Sequence, residues 1–190
     1  MWRINPLGIQ KSLNTRLAVA TALLAITTAA SAQKSGTEKA GDIIQILVPL
    51  TAYSSTFYKH DPKGRGQFYK SFLTNLGMTY ALKLSVNKRR PENNGDYSFP
   101  SGHTSAAFQG AAFIQKRYGW NYGLPAYAAA SYVGWSRVEG ESDKHDIVDV
   151  AAGAAIGIFS SYYFTQPYKN TTVAPLVGNK TYGLIVSMDW

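Results

Sequence analysis

The chain has no cysteine among its 190 residues, so no disulfide braces the fold and an oxidising compartment is permitted but not used. Histidine is scarce, with three residues, and no zinc-type spacing of histidines and cysteines occurs. A phosphate-loop sequence and a dinucleotide fingerprint are both missing. Acids are outnumbered, 11 against 19 lysines and arginines, which gives a formal charge of +8. Such a balance favours anionic partners, phosphate esters or anionic lipid headgroups among them. Nucleic acid is not expected: the basic residues from Lys83 to Arg90 form one short cluster, and no finger, basic zipper or glycine clamp accompanies them.

The first 32 residues carry Arg3, Lys11 and Arg16 and no acid, then the apolar run LAVATALLAITTAA from Leu17 to Ala30, then Ala-Ser-Ala before Gln33. That order is a secretory signal, with an uncleaved anchor as the other reading. Either one sends the rest of the chain across a membrane. A periplasmic or inner-membrane-associated protein with its working face toward the periplasm is therefore expected. Residues 33–41 read as a polar, flexible lead-in, 42–166 as one helical domain and 167–190 as a C-terminal extension.

Within the domain the pattern is all-α, a bundle of about five core helices. Asp42 is expected to cap the first helix, with a kink or break at Pro49. Residues 60–66 read as a turn, followed by a helix over 67–86. After a long loop over 87–102, further helices are expected from Gly102 or His103 to Tyr118, over about 124–138, and over 147–163. Alanine, glycine and serine recur in GAAFIQ, YAAASYVGW and DVAAGAAIGIF, which lets helices approach closely in water or in lipid. The tail TYGLIVSMDW alternates, and one strand or extended arm packed on the bundle is expected.

Three pieces of sequence carry chemistry. In the first, Lys83 ends a helix and Arg90 precedes Pro91; a turn after Asn87 would bring a point charge and a bidentate fork to one set of phosphoryl oxygens. Lys88 and Arg89 read as surface neighbours. In the second, Pro100-Ser101-Gly102-His103 opens a helix, where unpaired amides, the Ser101 hydroxyl and the close approach allowed by Gly102 suit a bound phosphate. His103 there can protonate a departing oxygen. In the third, Arg137 is followed by His145 and Asp149, which lie four apart on one helical face. An aspartate holding one ring nitrogen leaves the other able to attack phosphorus, and Arg137 would complete the anionic cradle. His60, in a turn beside Asp61, reads as structural or solvated.

Together these pieces resemble the type 2 phosphatidic acid phosphatase superfamily, which includes bacterial acid phosphatases, membrane lipid phosphatases and vanadium haloperoxidases. Its pattern, Lys-x6-Arg-Pro, Pro-Ser-Gly-His and Ser-Arg-x5-His-x3-Asp, matches at Lys83, Arg90 and Pro91, at Pro100 to His103, and at Ser136, Arg137, His145 and Asp149. One departure stands out: VEGESDK between Arg137 and His145 is two residues longer than the family's spacing. The resemblance implies a phosphomonoesterase in which His145 is the nucleophile, His103 the general acid and Asp149 the orienting carboxylate. Lys83, Arg90, Ser101, Gly102 and Arg137 would hold the phosphate, with no metal and no cofactor. A lipid phosphate is the expected substrate and a membrane the expected partner. A soluble acid phosphatase, a vanadate-dependent haloperoxidase and an inactive envelope scaffold are the alternatives; the sequence does not indicate an oligomeric state.

Overall fold

The computed structural model describes residues 35–93, 95–140, 144–168, 171–178 and 181–188. The signal or anchor segment therefore lies outside the described residues.

The first helix, α1 (Gly36–Tyr58), begins earlier than the Asp42 cap had suggested. Ser35 and Glu38 form a capping box: the Glu38 amide donates to Ser35 Oγ at 3.2 Å and the Ser35 amide to Glu38 Oε2 at 3.1 Å. Reciprocal satisfaction of two amides starts the helix in the stretch expected to be a lead-in. The helix runs through Pro49. Asp61 caps α2 (Pro62–Val86), accepting from the Gly64 amide at 2.8 Å, with Pro62 in the first turn. This start signal overrides Gly64 and Gly66, so the expected turn is helical. Asn87 ends α2 in a left-handed conformation, φ 41°.

A loop with one 3-10 turn (Pro91–Asn93) leads to α3 (Gly102–Tyr118), capped by Ser101. Gly119, at φ 92°, separates α3 from α4 (Trp120–Val138), which starts four residues before the expected Leu124. The last helix, α5 (Ile147–Phe164), matches its expected bounds closely. Beyond it, β1 (Thr171–Gly178) and β2 (Thr181–Met188) pair antiparallel, Thr171 opposite Met188 and Gly178 opposite Thr181. The expected single arm is thus one strand of a hairpin; the β-branched Thr171, Thr172 and Val173 supply the partner. Tyr182 and Leu184 of that arm are exposed.

Helix α3 is the hub and packs against each of the four other helices among the described residues. Its closest neighbour is α5. A Cβ at Gly153 would sit 2.4 Å from the Ser101 carbonyl oxygen, and one at Gly157 would sit 2.4 Å from the Ser105 oxygen. Only hydrogen fits there. Apolar contacts fill two zones, one around Val48, Ala107, Ala111, Ala130 and Val133, the other around Ala52, Phe68, Phe113 and Ile114. The second is keyed by an edge-to-face Phe68–Phe113 pair, centroids 5.2 Å apart.

Between these apolar zones the interior carries many polar side chains, more than a water-soluble bundle usually buries. Ser71, Asn75, Thr79, Ser105, Gln109, Ser160 and Ser161 are buried, joined by contacts such as Thr79 Oγ1–Ser105 Oγ at 3.0 Å and Gln109 Nε2–Ser71 Oγ at 2.9 Å. Large apolar side chains face outward instead: Ile43, Leu47 and Leu50 on α1, Leu73 and Leu84 on α2, Ile147, Phe159 and Tyr163 on α5. Among the described residues one helix, α5, is long and apolar enough to cross a membrane.

At the end of the bundle where α1 meets α2, Arg117 and Asp61 form a buried pair, with Nε–Oδ2 at 2.7 Å and Nη2–Oδ1 at 2.5 Å. Arg117 Nη1 also donates to the carbonyls of Gln166 and Pro167, at 2.7 and 2.9 Å, tying the exit of α5 to the start of α2. Burial alone would raise the Asp61 pKa; the Arg117 guanidinium, the Gly64 amide and Tyr118 outweigh it and hold the carboxyl below its ordinary 3.8.

Two outcomes follow for the purified protein. Gly157→Ala should lower the melting temperature by several degrees, since relieving a backbone overlap costs about 1–3 kcal/mol. Gly77→Ala, where a new Cβ meets nothing within 4 Å, should hold or raise it; equal melting temperatures would show that α3 and α5 are not pressed together. Because the Asp61 pKa is depressed on folding, its contribution to stability is present above the ordinary carboxylate value and is lost as pH falls through the lower folded value. In melts from pH 7 to pH 3, Asp61→Asn should start less stable by about 3–5 kcal/mol and lose less on acidification than the native chain; parallel curves would remove Asp61 as a source of acid sensitivity.

Candidate active site

The three motif segments meet at the opposite end of the bundle from Asp61. The C-terminus of α2, the loop over 87–101, the N-termini of α3 and α5 and the C-terminus of α4 all contribute. Asp149 is their junction. Its side chain is fully buried, yet every part of the carboxylate is occupied. Oδ1 accepts from Lys88 Nζ at 2.8 Å, and Oδ2 accepts from the Ser98 hydroxyl and from the Asp146 amide at 3.2 Å. The Asp149 backbone carbonyl accepts the Ser101 amide at 2.9 Å, which joins the second motif to the third.

His145 is buried beside this carboxylate. Nδ1 lies 3.4 Å from Asp149 Oδ2 and 3.3 Å from Ser98 Oγ. On the other side of the ring, Nε2 lies 3.2 Å from Arg90 Nη1. A guanidinium can only donate, so Nε2 is the acceptor and the proton of the neutral ring belongs on Nδ1, toward Asp149. This tautomer leaves the Nε2 lone pair on the side of the arginine, where an anion clamped by Arg90 would be met.

Lys83 Nζ donates to the Tyr97 carbonyl at 2.8 Å, and its Cε would lie 3.7 Å from a Cβ at position 102, so Lys83 runs over Gly102 at the start of α3. Ser101 is buried and caps α3, accepting from Thr104 Oγ1 at 3.0 Å and from the Thr104 amide at 3.5 Å. His103 Nε2 lies 3.2 Å from Asp42 Oδ1. Arg137, wholly buried, donates from Nη1 to that same Asp42 oxygen at 2.9 Å, from Nη2 to the Glu38 carbonyl at 2.8 Å and from Nε to Ser136 Oγ at 3.2 Å. Arg137 and His103 are therefore bridged through one carboxylate on α1. The longer connection from Arg137 to His145 is closed at its base, where the His145 amide donates to the Arg137 carbonyl at 2.9 Å. The added length leaves the two ends of the loop in contact; Glu141 and Asp143 within it lie outside the described residues.

Three further residues, Lys88, Ser98 and Asp42, meet the site residues in the folded chain. Lys88, expected at the surface, also pairs with Asp146 Oδ2 at 2.6 Å. Burial would lower its pKa, but hydrogen bonds to Asp146 and Asp149 raise it above the ordinary 10.5 and keep it charged. Arg89 is exposed as expected. Ser98 left no sequence signal. Asp42 did: it is a lone acid entering the apolar run IIQILV, and its assignment as a helix cap concealed a site-facing role. His60 sits in the connection after α1, at the Asp61 end and away from the site. Among the described residues no cluster of three or more His, Asp or Glu is placed to hold a metal ion.

A family model described as the PAP2 superfamily matches residues 15–172. The lipid A 4'-phosphatase of Helicobacter pylori strain J99 is 30% identical over 171 residues, covering 80% of this chain and 85% of that protein. The lipid A 1-phosphatase of Porphyromonas gingivalis is 36% identical over 128 residues, covering 62% of this chain and 28% of that much longer protein. Among solved structures, LpxE of Aquifex aeolicus superposes with a TM-score of 0.50 at 19% identity, over 64% of this chain and 83% of that one, a likeness of fold. Motifs, architecture and a match over most of the sequence agree: the chain belongs to the PAP2 superfamily.

Proposed function

We propose that the chain is a phosphomonoesterase acting on a lipid-borne phosphate, through a phosphohistidine at His145 and without a metal ion. The observation that carries this reading is the polarised His145 ring, with Nδ1 against a buried, lysine-neutralised Asp149 and Nε2 against Arg90. In the first step Nε2 bonds to phosphorus as the ester P–O bond breaks, and His103 gives a proton to the departing oxygen. Asp149 stabilises the charged ring. In the second step a water oxygen bonds to phosphorus, the N–P bond breaks, and the water's proton passes to His103. Lys83, Arg90, Arg137, Ser101 and the amides opening α3 at Gly102 hold the phosphoryl oxygens in both steps, supplying the charge that a metal would otherwise provide.

The substrate class follows from the surface. The catalytic end is rich in lysine and arginine, and the flanks of α1, α2 and α5 expose large apolar residues that suit acyl chains better than water. A membrane-associated protein with this end toward the periplasm meets both conditions. The relatives named as lipid A phosphatases support lipid A as the lipid that carries the phosphate.

Purified full-length protein in detergent with EDTA should release phosphate from lipid A. His145→Ala should lower the rate by about 10³-fold or more, and a brief acid-sparing quench of the native enzyme should trap an acid-labile, base-stable phosphoryl group. Release from phosphatidic acid but not lipid A would move the substrate to glycerophospholipids, and turnover that survives His145→Ala would refute the nucleophile. Lys88→Met, which keeps the stem and removes the charge, should cut kcat about 10²-fold by freeing Asp149 while the fold persists by circular dichroism; an unchanged kcat would make Lys88 dispensable to the pair.

A further inference from the structure

We propose that Asp42, on the helix that carries none of the three motifs, is the positioning carboxylate of the general acid His103, so that the site is built from two aspartate–histidine pairs. This rests on the phosphomonoesterase reading above and adds a residue to it. The geometry is specific. Asp42 Oδ1 is 3.2 Å from His103 Nε2 and 2.9 Å from Arg137 Nη1. Arg137 is itself pinned by the Glu38 carbonyl and Ser136 Oγ. The carboxylate is thus fixed from behind by a buried cation and offers its oxygen to the ring in front.

Asp42 stands one turn beyond Glu38 on α1, so one helical face supplies both the carbonyl that holds Arg137 and the carboxylate that Arg137 holds. Close packing makes this reach available: a Cβ at Gly41 would fall 2.1 Å from Ser136 Oγ and 2.7 Å from Arg137 Nη2. A ring whose Nε2–H is bound to a carboxylate cannot rotate freely, and when it carries both protons the contact is an ion pair. The proton given to the leaving oxygen then comes from Nδ1. As it transfers, the Nδ1–H bond breaks, the O–H bond of the alcohol forms, and the ring is left neutral with Nε2–H still on Asp42.

The two pairs divide the work by environment. Asp149 is sealed, with Lys88 and Ser98 on its oxygens, and serves a ring that must stay an unprotonated nucleophile at Nε2. Asp42 keeps 27% of its side chain exposed, as does His103, which suits a ring that must exchange a proton with leaving group and water.

The test is leaving-group dependence in the full-length protein. A general acid matters for an alkyl phosphate, whose alcohol departs poorly as an anion, and hardly for 2,4-dinitrophenyl phosphate, whose phenolate leaves unprotonated. Asp42→Asn keeps the shape and an acceptor oxygen and removes the charge. It should lower kcat/KM for the alkyl ester by about 10²-fold and for the dinitrophenyl ester by less than about threefold. An equal loss on both esters would overturn the proposal and make Asp42 a support for Arg137. A second readout is independent of turnover: with only three histidines in the chain, the ¹⁵N ring signals can be assigned by His60→Gln and His145→Gln. The His103 Nε2 signal should move in Asp42→Asn, and an unmoved signal would show that the contact is not made.

Discussion

A carboxylate buried in a helical bundle costs several kcal/mol unless each of its lone pairs is met, and Asp149 is the carboxylate around which this site is arranged. Lys88 reaches it from the loop after α2, Ser98 from the far end of that loop, and the Asp146 amide from the start of α5. Its own carbonyl accepts the Ser101 amide where α3 begins. Meeting one buried charge therefore ties together the two ends of the loop after α2 and sets the relation of two helix starts. The tautomer of His145 then follows, because Asp149 takes one ring nitrogen and Arg90 can only donate to the other.

That junction depends on how closely α3 and α5 lie. Gly153 and Gly157 bring the α5 backbone against the carbonyls of Ser101 and Ser105, and beside the two apolar clusters the interior holds polar side chains linked by hydrogen bonds. Close approach, internal hydrogen bonds and two apolar clusters hold the bundle, while many other bulky apolar residues cover its outside. This division suits helices that pack by contact and hydrogen bonding with an apolar medium around them. The Arg117–Asp61 pair fastens the far end, where α1 turns into α2 and α5 leaves the bundle.

Local signals set the helix boundaries where they act alone. Ser101 and Gly119 bracket α3, and α5 begins after its aspartate; each boundary is a capping event within a few residues. Boundaries failed where two signals competed. Asp42 and Ser35 could each cap α1, and the capping box with Glu38 decided for Ser35. Asp61-Pro62 competed with two glycines and prevailed. The hairpin is legible only in its second strand, since β2 alternates clearly while the proline at position 175 weakens the strand pattern of β1.

The sequence by itself determined the all-helical class, the order of the motifs and the chemistry they suit, because residue types and short spacings carry that information directly. His145 and Asp149 share a face through the period of one helix, and no tertiary contact is needed to know it. Only the tertiary structure decided that Lys88 neutralises Asp149, that Ser98 bridges it to His145, and that Arg137 meets His103 through Asp42. Each of these pairs joins residues tens of positions apart, and nothing local distinguishes a half-exposed lysine that will be drawn onto a buried carboxylate from one that will point into water. The packing of α1 and α5 onto α3 makes that distinction, since it is packing that removes water and obliges each buried charge to find its partner.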